Sequence, residues 1–257
     1  MNEKKIAIDP SLFPVSKEEA IACMFLFGER FENGIEPADI ASYKWDGRTI
    51  VEYNGYEIDS AVTVTEFPQL YRRGSAEERS ESLPYKAVIF AIQKHNSQKR
   101  KGSEIPYIYH PLEAMQILMD NACSEPVIIA GVLHDVIEDA GTAPAEIINL
   151  FGEEIYNIVA AETEDKSKSW KERKQTTIDH LPGASLEAKL VCCADKLSNM
   201  RSMVYDLMSV GDKLWDRFRA GKEDIKWYYT EIVRCLPELS GYEMYKELKS
   251  LLGNIWK

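Results

Sequence analysis

The stretch from Ser124 to Gly141, SEPVIIAGVLHDVIEDAG, constrains this chain more than any other. Ser124 reads as an N-cap, Pro126 falls in the first turn and Gly141 stands just past the end, so the pattern predicts one helix. From Val127 to Ile137 it is apolar on nearly every side, and a helix apolar all round is a buried helix. Its second half nevertheless carries His134, Asp135, Glu138 and Asp139. Four-residue spacing sets His134 over Glu138 and Asp135 over Asp139. Buried ionised groups are costly without compensating partners, and an adjacent imidazole and carboxylate are natural metal ligands. The plainer alternative is a helix emerging into solvent at this point. The rest of the chain weakens it.

The 257 residues suffice for one large core, or a core with a small module beside it. An apolar fraction of 45% with 28% charged residues is that of a globular protein in water. No apolar run approaches the ~18 residues of a membrane span, and MNEKKIAIDP is not a signal region. The expectation is a cytoplasmic protein with no membrane partner. The five cysteines (Cys23, Cys123, Cys192, Cys193, Cys235) are odd in number and form no CxxC, which argues against a disulfide framework or a zinc knuckle. Cys192 and Cys193, in KLVCCADKL, are expected to be small buried hydrophobes. A net charge of −11 argues against a nucleic-acid-coating surface, but leaves room for a phosphorylated small molecule in a local basic pocket.

Residues 1–80 differ in texture from the remainder. This segment is acidic and has no histidine. Lys17–Glu32 reads as a short helix. Arg48–Phe67 is rich in β-branched and aromatic residues, with Asn54-Gly55 supplying a two-residue hairpin signal. A small α+β module ending in the polar linker Arg73–Ser82 is expected, with no catalytic constellation of its own.

Residues 81–257 read as helical almost throughout. Predicted helices cover Pro84–Asn96, Pro111–Asn121, Ala143–Phe151, Gly152–Glu162, Trp170–Leu181 and Ser185 to about Val210, followed by two more broken at Pro237. The long helix has an apolar stripe of Leu190, Cys193, Leu197, Met200, Val204 and Leu207. Asp195 and Asn199 lie on its other face beside Ser198 and Ser202, with Lys189 and Lys196 off to one side. So small a polar face suits the wall of an occluded cleft. His95 reads as a helix-face residue and His180, before Leu-Pro-Gly, as a structural cap.

Three segments, YIYHP (Tyr107–Pro111), LHDVIED (Leu133–Asp139) and ADKLSNMRS (Ala194–Ser202), resemble the hallmark segments of the HD-domain hydrolases of the RelA/SpoT alarmone family. They stand in the family's order and at its intervals, over roughly Tyr85 to Tyr205. The resemblance implies a mainly α fold, an HD-domain helical bundle, behind the small N-terminal α+β module. It implies Mn²⁺-dependent removal of the 3′-pyrophosphate of ppGpp or pppGpp. Carried over by position, the metal ligands would be His110, His134, Asp135 and Asp195. Glu138 and Asp139 match the acidic pair that positions or activates the attacking water. Asn199 matches a residue near the nucleotide sugar, and Ser202 stands where threonine is usual. In Lys99-Arg100-Lys101, Arg100 and Lys101 match the region that contacts the base, and an arginine can stack on a base while also meeting phosphate.

A second basic stretch, DKSKSWKERK (Asp165–Lys174), offers Lys171, Arg173 and Lys174 for phosphate capture. The chain departs from the family where Ser198 replaces the usual histidine, where LADR becomes ADK, and after the core. It looks more like the branch of small, single-domain HD phosphohydrolases, with no room for a synthetase domain. Two other readings stay open: an HD hydrolase acting on another phosphorylated nucleotide such as NADPH, and a nucleotide-sensing binding protein. The acidic pair favours the enzyme.

Overall fold

The computed structural model describes residues 82–103, 105–218 and 220–256 and, before them, the backbone of five strands. The chain divides into two compact units, Met1–Gln93 and Lys94–Lys257. In the first, β1 (Leu12–Val15) pairs antiparallel with a strand at Leu70–Arg73. Between them in sequence, β2 (Tyr43–Trp45), β3 (Ile50–Tyr53) and β4 (Tyr56–Val62) form an antiparallel sheet in that order. Leu70–Arg73 is β5. Tyr53 pairs with Tyr56, so these strands flank Asn54-Gly55 as the hairpin pattern predicts. The helix expected over Lys17–Glu32 lies outside the described residues. Helix α1 (Leu83–Lys94) closes this part of the chain, with Pro84 in its first turn.

The second unit is helical. It contains α2 (Tyr109–Asp120), α3 (Glu125–Leu133), α4 (Pro144–Phe151), α5 (Glu153–Glu162), α6 (Trp170–His180), α7 (Leu186–Val210), α8 (Lys222–Cys235) and α9 (Glu243–Ile255). Single 3₁₀ segments follow α6, α7 and α8, the last at the expected Pro237 break. The Ser185 hydroxyl caps α7, and a reciprocal Ser169–Glu172 capping box starts α6. No helix among the described residues is long and apolar enough to cross a membrane.

Helix α7 runs through the middle, with α2, α3, α5 and α9 packed around it. Its turns from Ala188 to Ser198 are buried on every side, and Cys192 and Cys193 are fully enclosed, as expected. Helices α2 and α3 approach closely at Gly131, where a Cβ would come within 2.4 Å of Leu118 Cδ1. A Cβ there would have to displace the Leu118 side chain, and the close approach brings the C-terminal end of α3 over the start of α2.

One expectation is corrected here. The predicted single helix Ser124–Gly141 ends at Leu133, and His134–Ala140 forms a run of turns. The reason lies in the histidine. His134 Nδ1 lies 2.8 Å from the Gly131 carbonyl oxygen, engaging an acceptor that helix continuation would offer to the Asp135 N–H. The turns close through Thr142 N–H to Val136 O, with Gly141 at a positive φ of 64°.

Candidate metal centre and catalytic site

Two helices and the turn after a third converge on one point. The Nε2 atoms of His110 (first turn of α2) and His134 (end of α3) lie 3.3 Å apart. Asp195 Oδ1, from the buried middle of α7, is 3.1 Å from His110 Nε2 and 3.8 Å from His134 Nε2. Asp135 Oδ2 is 2.9 Å from His134 Nε2 and 3.6 Å from His110 Nε2. His110, His134 and Asp195 are buried, and one donor atom from each lies within 4.8 Å of the others. Two donors on one ion at about 2.1 Å, separated by 90–110°, stand about 3.0–3.4 Å apart. The His110–His134 and His110–Asp195 spacings of 3.3 and 3.1 Å fall in that range, and the other three, at 2.9, 3.6 and 3.8 Å, lie just outside it.

The orientation of the two rings agrees with that fit. Each imidazole has Nδ1 engaged, His134 with Gly131 O and His110 with Ser198 Oγ at 2.8 Å, which leaves both Nε2 atoms for the shared point. Burial holds the His110 pKa low, assisted by the Arg100 charge. Burial also opposes charge on His134, but Asp135 and Asp195 outweigh it and push that ring up to about 10. Burial disfavours the Asp195 anion too, yet the Lys196 ammonium and the two histidines hold its carboxyl well below the usual range. Two imidazoles and two carboxylates are a donor set for a divalent transition ion, and His110, His134, Asp135 and Asp195 would hold it.

The acidic pair sits beside this point. Glu138 Oε2 accepts the Glu164 N–H at 3.1 Å, and its Oε1 is 3.7 Å from Arg173 Nη1. Burial pushes the Glu138 carboxyl up from its ordinary value. Asp139 takes Lys166 Nζ on Oδ1 at 2.5 Å and the Tyr107 hydroxyl on Oδ2 at 3.0 Å. That hydroxyl also lies 2.6 Å from Asp135 Oδ2. Burial and the flanking carboxylates keep the phenol protonated, so its single proton is shared between the two.

The basic residues divide between two regions. The loop before α2 is fastened by an antiparallel bridge between Lys99 and Pro106 and by Tyr107 N–H to Gln98 O. It directs Arg100 Nη2 onto Asn199 Oδ1 at 3.0 Å, with the guanidinium 5.9 Å from the Tyr107 ring centre. Asn199 in turn donates to Asp195 Oδ1 at 2.6 Å. Lys101 points elsewhere, 5.5 Å over the Phe218 ring. Ser202, one turn beyond Ser198 on α7, is half-buried. In the second stretch, Arg173 and Lys174 pair with Glu164 at 2.8 and 2.7 Å, next to Glu138. Lys171 lies on the exposed side of α6, paired with Asp224 and 3.4 Å over the Trp227 ring.

Three residues differ from their sequence reading. Lys196 is not off to one side: it is buried and ion-paired with Asp195 Oδ2, because α7 is enclosed all round at this level. Lys189 is likewise buried, bound to the Pro182 carbonyl and to Glu238. His95 is not on a helix face. It sits in the turn after α1, buried, with Nδ1 on Gln98 Oε1 at 2.8 Å and its ring 5.1 Å from that of Tyr107. Gln98 continues to the Asp139 carbonyl at 2.8 Å, so His95 and Gln98 buttress the acidic pair. Tyr107 was legible as part of YIYHP, though not as a bridge. Glu113 and Glu164 carried no signal in the sequence, since each looks like an ordinary helix or loop acid.

The HD domain family matches residues 87–226 of the chain. Among known proteins, the chain is 39% identical over 158 residues to a Xenopus tropicalis protein named guanosine-3′,5′-bis(diphosphate) 3′-pyrophosphohydrolase MESH1, covering 60% of this chain and 85% of the relative. The human protein of that name is 36% identical over 174 residues, covering 66% and 91%. A solved metazoan ortholog of SpoT, described as hydrolysing ppGpp, superimposes with a TM-score of 0.58 at 28% identity, covering 72% of this chain and 98% of that one. A Listeria monocytogenes structure, lmo0812, gives 0.54 at 36% identity, covering 57% and 98%. With the His-His-Asp convergence already in place on α2, α3 and α7, these matches show that the chain belongs to the HD-domain hydrolases of the RelA/SpoT type.

Proposed function

We propose that this chain is a divalent-metal-dependent phosphohydrolase that removes the 3′-pyrophosphate of (p)ppGpp, with Mn²⁺ as its ion. The observation that carries the reading is the meeting of His110, His134 and Asp195 donor atoms, with Asp139 joined to Asp135 through the Tyr107 hydroxyl. The named activity of the relatives supports the substrate. Residues 81–257 form the hydrolase domain in this reading, and residues 1–80 a separate module. Free thiols at Cys123, Cys192, Cys193 and Cys235 suit a reducing, cytoplasmic setting.

A cation held by the four ligands would supply the usual chemistry of such ions, acidifying water and screening phosphate charge. The rest falls to side chains. Glu138 Oε1, the oxygen not committed to the Glu164 N–H, takes the proton of the attacking water. Its raised pKa makes it a stronger base than an exposed carboxylate. Asp139, steadied by Tyr107 and Lys166, holds the water in line. Water adds to phosphorus, the bond to the ribose 3′ oxygen breaks, and that oxygen leaves with a proton drawn from solvent while Glu138 releases its own to solvent.

Arg100 faces the base, and Asn199, bonded to both Arg100 and Asp195, stands between base and ion, where the sugar belongs. Ser202 stands one turn beyond Asn199 on α7, and Lys101 is turned toward Phe218. Arg173, Lys174 and, further out, Lys171 line the approach for phosphates. The test of specificity is kcat/KM on ppGpp and on NADPH with saturating Mn²⁺. The reading expects ppGpp to be preferred. Preference for NADPH would move the substrate to a 2′-phosphate, and binding of both without turnover would make the protein a sensor.

A further inference from the structure

Behind His110, on the side away from the shared point, lies a chain of polar side chains that the reaction does not use directly. His110 Nδ1 is 2.8 Å from Ser198 Oγ, and Ser198 Oγ is 2.9 Å from Glu113 Oε2. Glu113 Oε1 faces Arg201 Nη1 at 3.4 Å. Arg201 in turn grips both carboxylate oxygens of Glu247 on α9, at 2.7 and 2.6 Å. Ser198 is 1% exposed and His110 3%, so water does not compete for the bond between them.

The placement repeats on two helices. Glu113 stands three residues after His110 on α2, and Ser198 three residues after Asp195 on α7. Three residues is one turn, so each pair shares a helix face. The contact between α2 and α7 that joins His110 to Asp195 therefore also joins Glu113 to Ser198.

Counting protons fixes the direction of the relay. A carboxylate at neutral pH only accepts, and a serine hydroxyl has one proton to give. The Ser198 proton therefore goes to Glu113 Oε2. Its oxygen then accepts from His110, which places the histidine proton on Nδ1 and leaves the Nε2 lone pair facing His134 and Asp195. The other tautomer would ask Ser198 to donate twice. At His134 the corresponding Nδ1 is engaged by a backbone carbonyl, which no side-chain substitution can remove. At His110 the device is made of side chains.

We infer that Ser198 and Glu113 are positioning residues that set the tautomer and orientation of His110 as a metal ligand. The inference rests on the metal-dependent reading above. Partners of this kind behind a ligating histidine typically change metal affinity by about 10–100-fold.

The test is Mn²⁺ affinity by calorimetry on the full-length chain, for wild type, Ser198→Ala and Glu113→Gln, with the metal-free melting temperature as a control for folding. Ser198→Ala should bind Mn²⁺ about 10–100-fold more weakly. Glu113→Gln should shift the same way, because an amide can donate to Ser198 and turn its proton toward His110. Nucleotide KM at saturating Mn²⁺ should stay within about twofold in both, a split that general loosening of the site would not give. Should Ser198→Ala fail to fold, the half-buried Glu113→Gln decides alone. Variant affinities within about threefold of wild type would overturn the inference while leaving the metal site intact. A wild-type chain that binds no Mn²⁺ would instead overturn the metal reading itself.

Discussion

His110 Nε2 and Asp195 Oδ1 lie 3.1 Å apart, although 85 positions separate the two residues in the chain. One ion between them, with His134 and Asp135 completing the set, would tie α2, the end of α3 and α7 together. Such an ion binds the folded chain and not the unfolded one, so Mn²⁺ at 100 times its Kd should stabilise the fold by about 2.7 kcal/mol. Thermal melting with Mn²⁺ and with chelator checks this. Identical melting temperatures and unchanged activity would remove the ion from the account.

Ligand and base should separate by mutation. Asp135→Asn should lose metal and activity together, because its Oδ2 faces both histidines. Glu138→Gln should keep its metal while kcat falls by about 10²–10⁴-fold with little change in KM. Metal content and single-turnover rate are measured on one preparation. A metal-free Glu138→Gln protein would make Glu138 a ligand; a fully active one would pass the proton work to Asp139.

Tyr107→Phe keeps the ring against His95 and His110 and deletes only the hydroxyl shared by Asp135 and Asp139. A lost hydrogen bond to a charged group is worth about 1.5–3 kcal/mol, so kcat should fall by roughly tenfold or more with the fold retained. Wild-type kinetics in this variant would mean that Lys166 and Gln98 suffice to hold Asp139.

Arg100 is the cation that reaches Asn199, whereas Lys101 turns toward Phe218. Arg100→Ala should raise KM for the nucleotide by about tenfold, the scale of one charge-assisted contact. Arg100→Lys should recover little of it, lacking the planar fork. Equal KM values in all three proteins would place the base contact elsewhere.

Glu162, at the end of α5, carries a carboxyl that burial pushes from 4.5 up to about 7, against the pull of Lys196. Between these values the folded chain holds a proton that the unfolded chain has released. The stability this group contributes is thus complete below about pH 4.5 and lost as pH rises through about 7. Glu162→Gln, uncharged throughout, removes the slope. Wild type should therefore lose melting temperature relative to the variant on going from acid to neutral pH, and a constant difference would show that Glu162 titrates normally.

The helices were legible because their signals are local. Ser185 and Ser169 cap, Pro144 and Pro237 punctuate, and apolar spacing marks the buried faces. The side chains that converge, His110, His134, Asp135 and Asp195, were legible through three short segments. What escaped was settled by tertiary neighbours. The end of α3 at Leu133 depends on a histidine side chain engaging a backbone carbonyl, and no periodicity reveals that. Lys196 looked like a lateral charge because its spacing says nothing of α5 and α8 lying over it; its burial depends on pairing with Asp195. His95 and Glu113 acquire roles only when the loop and α7 are brought beside them.

The central claim is which bond is broken, and phosphorus NMR of the products reads it directly. ppGpp incubated with Mn²⁺-loaded protein should give GDP and pyrophosphate in equal amounts, with no orthophosphate. Orthophosphate in place of pyrophosphate, or pyrophosphate taken from the 5′ side, would contradict the account.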